Sequence, residues 1–354
     1  MSEQVPAYVA QSSNDPLQLG TIPRRAVGPN DVSIKIKYCG ICHSDVSFHR
    51  NEWGVTSYPL TPGHEIVGIV ESVGENVTKF RLGDRAGIGC LVNSCRTCTN
   101  CESGSENYCL NGFTGTYGFA HPKTGEIQYG GYSERIVVDE NFVLRVPDNL
   151  DLAAAAPLLC AGITTFSPLV DGNVGEGTKV GVVGIGGLGH VAIKLARALG
   201  AEVYAFTTKE SKRATIEALG ATHVIVTTDA DQFKNAKGLD IIVDTVSGPH
   251  DLVPYFNTLR PEGIYAVVGV GGPALAIPSL PLLMHGLNVR GSAVGGIKRT
   301  QDMLDLCGKH NITADIEMGH LTDLPTLYER VDKGDVRYRF VLDIEKDFEA
   351  AKQN

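Results

Sequence analysis

The sequence predicts an α/β protein with two domains, one rich in β-strands and one built on a doubly wound parallel sheet. Three observations support this fold class. The chain has 354 residues, which is more than one hydrophobic core usually serves. Residues 31–150 form short strand patterns separated by glycine turns, as in irregular β-structure. Between residues 175 and 295, strand and helix patterns alternate, which is typical of a parallel sheet covered by helices.

Each region contains specific candidate elements. The β-rich region has strand patterns at residues 32–38, 65–73 and 132–138. The alternating region has strand patterns at 180–183, 202–206, 241–243, 264–268 and 289–293, with helix patterns at 189–199 and 209–219. After residue 298, helix patterns at 300–309 and 322–332 precede a strand pattern at 338–343. We expect this last segment to return to the first domain, so the predicted domains are residues 1–155 with 297–354, and residues 156–296.

Composition and charge exclude several classes of protein. The net charge is -9 and no cluster of Lys and Arg is present, so nucleic acid and membrane surfaces are not expected partners. No apolar run approaches the roughly 18 residues of a membrane span, and the N-terminus lacks a signal-peptide pattern. We therefore expect a cytoplasmic protein with a small-molecule substrate. Its nine cysteines then indicate metal binding rather than disulfides, because the cytosol keeps thiols reduced.

A glycine-rich turn between a strand pattern and a helix pattern indicates a dinucleotide site. Glycines permit a tight turn, close approach of the backbone to a pyrophosphate and close packing of helix on strand. The free N–H groups of the helix N-terminus then face the phosphates. The motif residues expected to bind cofactor are Gly184, Gly186, Gly187, Leu188 and Gly189.

The end of the second strand in this region favours NADP(H) over NAD(H). NAD sites usually carry Asp or Glu there to bind the ribose hydroxyls, whereas this chain has Thr207 and Thr208. A carboxylate about 4 Å from a 2′-phosphate would be repelled by about 4 kcal/mol at an effective dielectric of about 20. Hydroxyl groups and Lys212 suit a phosphate instead. The alternative is that the threonines only end a strand and that Lys212 lies on a solvated helix face.

Four cysteines in one short loop predict a structural zinc site. Their spacing is C-x2-C-x2-C-x7-C, and four thiolates suit a closed tetrahedral zinc that stabilises a lobe without its own core. An iron–sulfur cluster is the alternative, but its short motif ends with a three-residue gap followed by proline. The ligands of this predicted site are Cys95, Cys98, Cys101 and Cys109.

A second possible zinc set is dispersed along the chain. Cys42 follows Gly40-Ile41, His64 follows Pro62-Gly63, and Cys160 precedes Ala161-Gly162. Two thiolates and an imidazole leave a fourth zinc position for water or a substrate oxygen. No spacing rule assembles these three residues. Taken singly, the two cysteines are more often buried apolar residues, and the histidine is more often a hydrogen-bonded loop residue.

Taken together, these motifs resemble the zinc-containing medium-chain alcohol dehydrogenases, and within them the cinnamyl alcohol dehydrogenase group with its broad-range aldehyde reductases. The resemblance extends nearly from end to end of the chain. It implies a GroES-like fold for the first domain, a Rossmann fold for the second, two zinc ions per subunit and a homodimer. The motifs that carry it are residues 40–45, 63–65, 95–109, 157–162, 184–190 and 333–340.

The resemblance also assigns roles around the catalytic zinc. It makes Cys42, His64 and Cys160 the ligands, with Glu65 able to occupy the fourth position until substrate displaces it. Asp45 would accept a hydrogen bond from the other ring nitrogen of His64, as is usual around a zinc-bound imidazole; the alternative is a simple turn residue.

Ser44 lies where the family has a Ser or Thr that begins a proton relay, a role that requires a group able to donate and accept. Many relatives continue the relay with a histidine where this chain has Ser47, so the next proton carrier is not identified. His43 and Thr164 are expected to contact the cofactor, although His43 has the alternative of an exposed loop residue.

The expected substrate pocket departs from the family pattern. Gly115 stands where lignin-pathway enzymes carry Trp, and Trp53 stands where they carry smaller apolar residues. The resemblance therefore implies an NADPH-dependent reductase of varied aldehydes rather than a strict hydroxycinnamyl enzyme. The alternatives are an NAD-dependent alcohol or polyol dehydrogenase, a reductase of a specialised metabolite and a non-catalytic zinc and nucleotide binding protein. The homodimer is expected to form through the edge of the second domain, near the apolar residues 274–283.

Overall fold

The computed structural model describes residues 2–120, 125–271 and 274–352. The chain divides into two compact units, residues 1–160 with 295–354, and residues 161–294. Each unit has its own principal sheet, and the predicted α/β class is confirmed.

The first unit opens with an antiparallel pair of strands that the sequence patterns did not predict. Strand β1 (Ser2–Val9) pairs with β2 (Gln18–Arg25) along their whole length. Each strand contains a proline, Pro6 and Pro23, and proline is normally confined to strand edges. On the other side of β1, Pro6 only has to accept, because its carbonyl receives the Glu134 N–H at 3.0 Å.

The main sheet of the first unit is centred on a long strand, β3 (Asp31–Ile41). Short 3₁₀ helices lie at Glu106–Tyr108, Glu140–Phe142 and Ala156–Leu159. The other elements up to residue 160 are α1 (His43–His49), β4 (Ile66–Val73), β5 (Arg85–Ile88), β6 (Leu91–Asn93), α2 (Thr99–Glu102), β7 (Thr114–Gly115), β8 (Arg135–Asp139), β9 (Leu144–Arg145) and α3 (Leu152–Ala155).

The predicted strand at 132–138 begins later than expected, at Arg135. The residues just before it are occupied by backbone contacts to the loop that carries His64. Gly131 donates to the Gly63 carbonyl at 2.8 Å, and Tyr132 donates to the Pro62 carbonyl at 3.0 Å. Residues 132–134 also form a short antiparallel bridge to β1, with Ala7 opposite Ser133, and they join the main sheet only from Arg135 onwards.

The second unit contains one six-stranded, wholly parallel sheet. Its elements are α4 (Ala161–Asp171), β10 (Lys179–Val183), α5 (Gly189–Ala198), β11 (Glu202–Thr207), α6 (Arg213–Ala218), β12 (His223–Val226), α7 (Ala230–Phe233), β13 (Leu239–Asp244), α8 (Val253–Phe256), β14 (Leu259–Val267), α9 (Ser279–His285) and β15 (Asn288–Gly291). The strand order is β12-β11-β10-β13-β14-β15. Because the order reverses between β10 and β13, the sheet is doubly wound, as predicted, and ligands of such sheets bind at this point of reversal.

The predicted helix at 209–219 is wrong in its first half. A 3₁₀ helix occupies Glu210–Lys212, and α6 covers only the second half of the predicted span. Arg213 forms an ion pair with Glu210, three residues earlier. A 3₁₀ turn aligns side chains at this spacing, so the ion pair favours the tighter turn.

The last segment completes the sheet of the first unit. It contains α10 (Ile297–His310), β16 (Ile316–Gly319), α11 (Leu324–Asp332), β17 (Arg339–Asp343) and α12 (Ile344–Ala351), with a 3₁₀ helix at Leu321–Asp323. Strand β17 runs antiparallel to the end of β3, with Phe340 opposite Ile41. Strand β8 pairs with the beginning of the same strand. The sheet order is β16-β17-β3-β4-β5-β9, with β8 as the seventh strand.

In the part of the chain that the structure describes, no single helix has the length and apolar composition needed to cross a membrane. The consecutive helical segments Leu152–Leu159 and Ala161–Asp171 meet those criteria only when taken together as a bent pair.

Candidate active site

Cys42 lies at the junction between β3 and α1, where it is the N-cap residue of the helix. The Asp45 carboxylate accepts a hydrogen bond from the Cys42 backbone N–H at 2.7 Å. A side chain three residues into a helix commonly satisfies the N-cap amide in this way. The local sequence Cys42-His-Ser-Asp45 therefore fixes the direction of the Cys42 thiol.

His64 follows a glycine that no other residue could replace without strain. Gly63 has φ of +104°, and a Cβ at this position would lie 2.7 Å from Cys39 Sγ and 2.9 Å from the Gly131 nitrogen. Its N–H donates to Asp45 Oδ1 at 3.1 Å. Asp45 thus connects the segment carrying Cys42 to the segment carrying His64.

The structure brings four of the predicted residues together in a buried cluster. The ligand atoms of Cys42, His64, Glu65 and Cys160 all lie within 4.8 Å of one another. The two thiols are 3.9 Å apart. Two thiolates on one tetrahedral zinc, each about 2.3 Å from the metal, would be about 3.8 Å apart. The donor set and its spacing therefore fit Zn²⁺.

Glu65 is buried in an environment that leaves its carboxylate without hydrogen bonds. Neither oxygen accepts a hydrogen bond from the described residues. Arg339 of β17 forms an ion pair with it, and Arg339 Nη2 lies 3.4 Å from Glu65 Oε1. Burial raises the pKa of Glu65 to about 8, although Arg339 opposes the shift. A metal ion nearby would stabilise the ionised form of this buried carboxylate. The resemblance assigns Glu65 as an alternative ligand of the catalytic zinc.

The ring of His64 is oriented by two groups. Its Nδ1 lies 3.2 Å from the Tyr117 hydroxyl and 3.5 Å from Asp45 Oδ1. Partners of this kind fix the tautomer of a metal-bound imidazole and raise its basicity. Asp45 is the residue predicted for this role, and Tyr117 is an additional partner.

The expected proton-relay residues lie on α1. The Cys42 thiol donates to the Ser44 hydroxyl oxygen at 3.6 Å, so Ser44 borders the cluster. Ser47, which stands at the position of the family's histidine, is buried and donates to Glu52 Oε2 at 2.7 Å. The His43 ring is exposed, and its Nε2 lies 4.0 Å from Asp332 Oδ1.

Aromatic rings form a continuous chain from His64 to the protein surface. Tyr117 stacks on His64 with ring centroids 5.6 Å apart, Phe48 contacts Tyr117 at 5.2 Å, and Trp53 contacts Phe48 at 4.9 Å. A Cβ at Gly115 would lie 3.0 Å from the ring of Phe119. Phe119 itself packs on Phe48. It therefore restricts the space for a larger side chain at position 115, where the resemblance places the tryptophan of lignin-pathway enzymes.

The four-cysteine loop forms the second candidate zinc site. The ligand atoms of Cys95, Cys98, Cys101 and Cys109 also lie within 4.8 Å of one another, and the Cys95 and Cys101 thiols are 3.9 Å apart. The Leu110 N–H donates to Cys98 Sγ at 3.4 Å. Hydrogen bonds from Asn111 and from the backbone of Thr97 lower the pKa of Cys95 to about 5. Thiolates stabilised in this way are ready to bind a metal.

The glycine turn of the second unit has the geometry of a phosphate-binding turn. Gly184 has φ of +82° directly after β10, and a Cβ at Gly189 would lie 2.0 Å from the Gly184 carbonyl oxygen. A Cβ at Gly186 would meet nothing within 4 Å. Gly184 and Gly189 therefore need to be glycine for the fold itself, whereas a side chain at position 186 would enter open space. Gly187 and Leu188 complete the turn before α5.

Two of the three residues predicted to select the cofactor lie beside this turn. Thr207 ends β11, which runs parallel to β10 with Phe206 opposite Val183. The Lys212 ammonium group donates to the Ile185 carbonyl at 3.4 Å, and burial lowers its pKa. Thr208 is exposed. Thr164, also predicted to contact the cofactor, is buried on α4.

Comparison with known families accounts for both units. Residues 28–148 match the family described as "Alcohol dehydrogenase GroES-like domain", and residues 187–309 match "Zinc-binding dehydrogenase". The chain belongs to the zinc-binding alcohol dehydrogenases. The resemblance stated from the motifs is confirmed.

Similar zinc-binding alcohol dehydrogenases cover almost the whole chain. "NADP-dependent alcohol dehydrogenase C 1" of Mycolicibacterium smegmatis is 50% identical over 96% of this chain and 97% of its own length. "Mannitol dehydrogenase" of Petroselinum crispum is 52% identical over 91% and 96%. "Aldehyde reductase YahK" of Escherichia coli is 49% identical over 96% and 98%. Among solved structures, a cinnamyl alcohol dehydrogenase from Helicobacter pylori complexed with NADP(H) has a TM-score of 0.90 and 41% identity, covering 98% of this chain and 99% of its own.

Two residues of this dehydrogenase were missed by sequence reasoning. Arg339 interrupts a strand pattern in which its neighbours are apolar, and a charged residue on a buried strand needs a buried partner. That signal was available, but it did not identify Glu65 as the partner. Tyr117 lies in a loop with no periodic pattern, and its hydrogen bond to His64 arises only from the tertiary fold.

Proposed function

We propose that this chain reduces aldehydes to primary alcohols with NADPH, and that Cys42, His64 and Cys160 hold its catalytic zinc ion. The convergence of these buried side chains with Glu65 is the observation that carries the proposal. Zn²⁺ held there would act as a Lewis acid towards a carbonyl or alcohol oxygen, while the nicotinamide supplies or accepts hydride.

The surrounding residues would each do one part of the work. Ser44 hydrogen-bonds at the edge of the cluster, and its hydroxyl can accept and donate, so it would pass a proton to the product alcohol. Tyr117 and Asp45 hold the His64 ring in place. Glu65 would occupy the fourth metal position when substrate is absent, and Arg339 would stabilise its carboxylate when substrate is bound.

The four-cysteine loop is proposed to hold a second, structural zinc ion. Its ligand spacing and the hydrogen bonds to its sulfur atoms support this assignment. A site with four thiolate ligands has no open position for substrate, so it would contribute to stability and not to the chemistry.

NADP(H) is the proposed cofactor because nothing at the end of β11 would repel a 2′-phosphate. Thr207 and Thr208 stand where NAD-binding proteins usually carry a carboxylate. Lys212 forms no ion pair within the described residues, and it points towards the glycine turn. The names of relatives and the NADP(H) complex of a similar structure agree with this choice.

Aromatic and aliphatic aldehydes are the proposed substrate class. The rings of Tyr117, Phe48 and Trp53 form an apolar, aromatic surface next to His64. Such a surface binds flat apolar groups without demanding a particular hydrogen-bond pattern. We therefore expect broad selectivity.

A steady-state assay tests the reaction and the zinc site together. Benzaldehyde, cinnamaldehyde and a short aliphatic aldehyde are offered with NADPH and with NADH to wild type, Cys160→Ala and Cys307→Ala. We expect Cys160→Ala to lose activity and about one zinc ion per chain. The control Cys307→Ala removes a buried thiol outside both clusters and should keep activity and zinc. Equal activity of the two variants would contradict the assignment.

Lys212→Ala tests the choice of cofactor. Loss of the cation should weaken NADPH binding by about tenfold or more, on the scale of one charge-assisted hydrogen bond, and should leave NADH binding nearly unchanged. Fluorescence titration measures both affinities. An equal change for the two cofactors would show that Lys212 does not bind the 2′-phosphate.

A polyol or alcohol dehydrogenase that uses NAD is the second candidate. It is favoured by the identity to a protein named mannitol dehydrogenase. Oxidation of mannitol by NAD faster than reduction of any aldehyde by NADPH would select it. If wild type with full zinc reduces no aldehyde, a reductase of a specialised metabolite becomes the better proposal.

A cytoplasmic homodimer is the proposed form of the protein. None of the nine cysteines, all of which lie within the described residues, forms a disulfide, which suits a reducing compartment. Strand β15 is the edge of its sheet, and the neighbouring side chains Leu280, Leu283 and Met284 are 70%, 75% and 74% exposed. An exposed apolar patch beside an open sheet edge is typical of an interface. Light scattering that gives a monomer at micromolar concentration would refute the dimer.

A further inference from the structure

Three polar side chains meet at the end of β13 in the second unit. Asp244 is the last residue of this strand, and its side chain is buried. Its Oδ2 accepts a hydrogen bond from the Tyr265 hydroxyl at 2.9 Å and lies 3.1 Å from His250 Nε2. Its Oδ1 accepts from the Val246 N–H at 3.0 Å. Both oxygens of Asp244 therefore have hydrogen-bond partners. Among the described residues, His250 is the only basic side chain at hydrogen-bond distance from Asp244.

The loop that follows Asp244 packs directly on the glycine turn. The Thr245 hydroxyl donates to the Gly184 carbonyl at 2.7 Å. A Cβ at Gly184 would lie 2.8 Å from Val246 Cγ2, and a Cβ at Gly269 would lie 2.3 Å from the Val246 carbonyl oxygen. Residues 245 and 246 are thus enclosed between the glycine turn and Gly269, with no room to shift. A displacement of this loop would displace the turn.

From this geometry we propose that His250 is a positioning residue for the dinucleotide site, which it holds in place through Asp244 and the loop at residues 245–247. The inference rests on the proposed function in one respect, namely that the glycine turn binds NADPH. His250 itself lies outside the turn and would not need to touch the cofactor.

His250 contacts both ends of this loop through its two ring nitrogens. Its Nδ1 lies 3.0 Å from the Gly248 carbonyl oxygen, which can only accept. Its Nε2 faces Asp244 Oδ2 and, at 3.4 Å, the Tyr265 hydroxyl. An N–H on Nε2 donates to the Asp244 carboxylate whether or not the ring carries a net charge. Leucine at this position would have no such donor, whereas glutamine would keep a neutral one.

Loss of this contact should act on cofactor binding. Because the loop packs on the glycine turn, the effect should appear in NADPH affinity and in KM for NADPH, and not in the turnover rate at saturating NADPH.

The experiment compares wild type with His250→Leu and His250→Gln in the full chain. NADPH affinity is measured by fluorescence titration, and kcat and KM for NADPH are measured by steady-state reduction of benzaldehyde. His223→Leu is the matched control, because His223 forms a similar pair with Glu202 at 2.7 Å, at a distance in sequence from the glycine turn and its loop.

We expect His223→Leu to bind NADPH as wild type does. His250→Leu should bind NADPH about tenfold more weakly than wild type, which corresponds to one hydrogen bond to a carboxylate, and should keep its kcat at saturating NADPH. His250→Gln keeps a neutral donor, so its affinity should lie between those of wild type and the leucine variant, and it remains a test if the leucine variant does not fold. NADPH affinities of both His250 variants that match wild type would overturn the inference. Absence of NADPH binding in wild type would overturn the proposed function instead, and this inference with it.

Discussion

Arg339→Met tests the buried ion pair between β17 and the proposed metal ligands. Arg339 Nη2 lies 3.4 Å from Glu65 Oε1, and the two side chains are 7% and 0% exposed. At that distance and an effective dielectric of about 20, the attraction is about 5 kcal/mol. Removing one partner of a buried pair typically costs about 3–5 kcal/mol. Because burial raises the pKa of Glu65 to about 8, the carboxyl is mostly ionised only above that pH. We therefore expect Arg339→Met to lower the free energy of unfolding of the first unit by this amount in the metal-free protein at about pH 9, and by less at neutral pH.

A double-mutant cycle with Glu65→Gln separates the ion pair from other effects of the substitution. The double variant leaves neither charge buried without its partner, so its loss of stability should be smaller than the sum of the two single losses. Urea unfolding followed by the fluorescence of Trp53 suits this measurement, because Trp53 is the only tryptophan of the chain and lies in the first unit.

Repeating the cycle with zinc bound shows which partner Glu65 prefers. If the carboxylate then binds the metal, the coupling to Arg339 should become smaller. Additive losses in the metal-free protein, or a loss below about 1 kcal/mol for Arg339→Met, the range of exposed pairs, would refute the reasoning.

The other predictions concern single positions. Cys98→Ser should lower the zinc content by about one ion per chain and expose the four-cysteine loop to protease; unchanged zinc by atomic absorption would contradict the structural site. Gly186→Ala should keep its thermal stability and bind NADPH more weakly, because its Cβ enters open space. Gly189→Ala should unfold at lower temperature, because its Cβ would lie 2.0 Å from the Gly184 carbonyl oxygen; equal midpoints for the two alanine variants would speak against this distinction. Trp53→Ala should raise KM for cinnamaldehyde more than for a short aliphatic aldehyde, and equal changes would place Trp53 outside the substrate surface.

The features that could be predicted from the sequence are those set by local pattern. The four-cysteine loop lies within one short segment, so its spacing predicted it. The glycine turn was predicted from its glycines together with the strand and helix patterns on either side. Five of the six strands of the parallel sheet were visible as apolar runs, whereas β12 (His223–Val226) was not predicted. The paired strands β1 and β2 were not predicted, because Pro6 and Pro23 interrupt the strand pattern. The first turn of the predicted helix at 209–219 is a 3₁₀ helix, which brings Glu210 and Arg213 into an ion pair.

The candidate zinc cluster could not be predicted from local sequence patterns. Cys42, His64 and Cys160 come from three separate segments, and only the resemblance to a family suggested that they belong together. The contacts of Tyr117 with His64 and of Arg339 with Glu65 join residues that are far apart in sequence. No local pattern encodes these pairs, because they depend on the packing of β17 and the Tyr117 loop against the site.

The division of the chain has a consequence for its synthesis on the ribosome. Residues 161–294 contain every strand of the parallel sheet, whereas the sheet of the first unit still lacks β16 and β17 when those residues have been made. Domains generally fold as units during translation, so here the second unit can fold before the first is complete. Glu65 contacts its buried partner Arg339 only after residues 161–294 have been made. The proposed catalytic zinc set therefore acquires its full surroundings only after β17 is synthesised, although all of its ligands are among the first 160 residues.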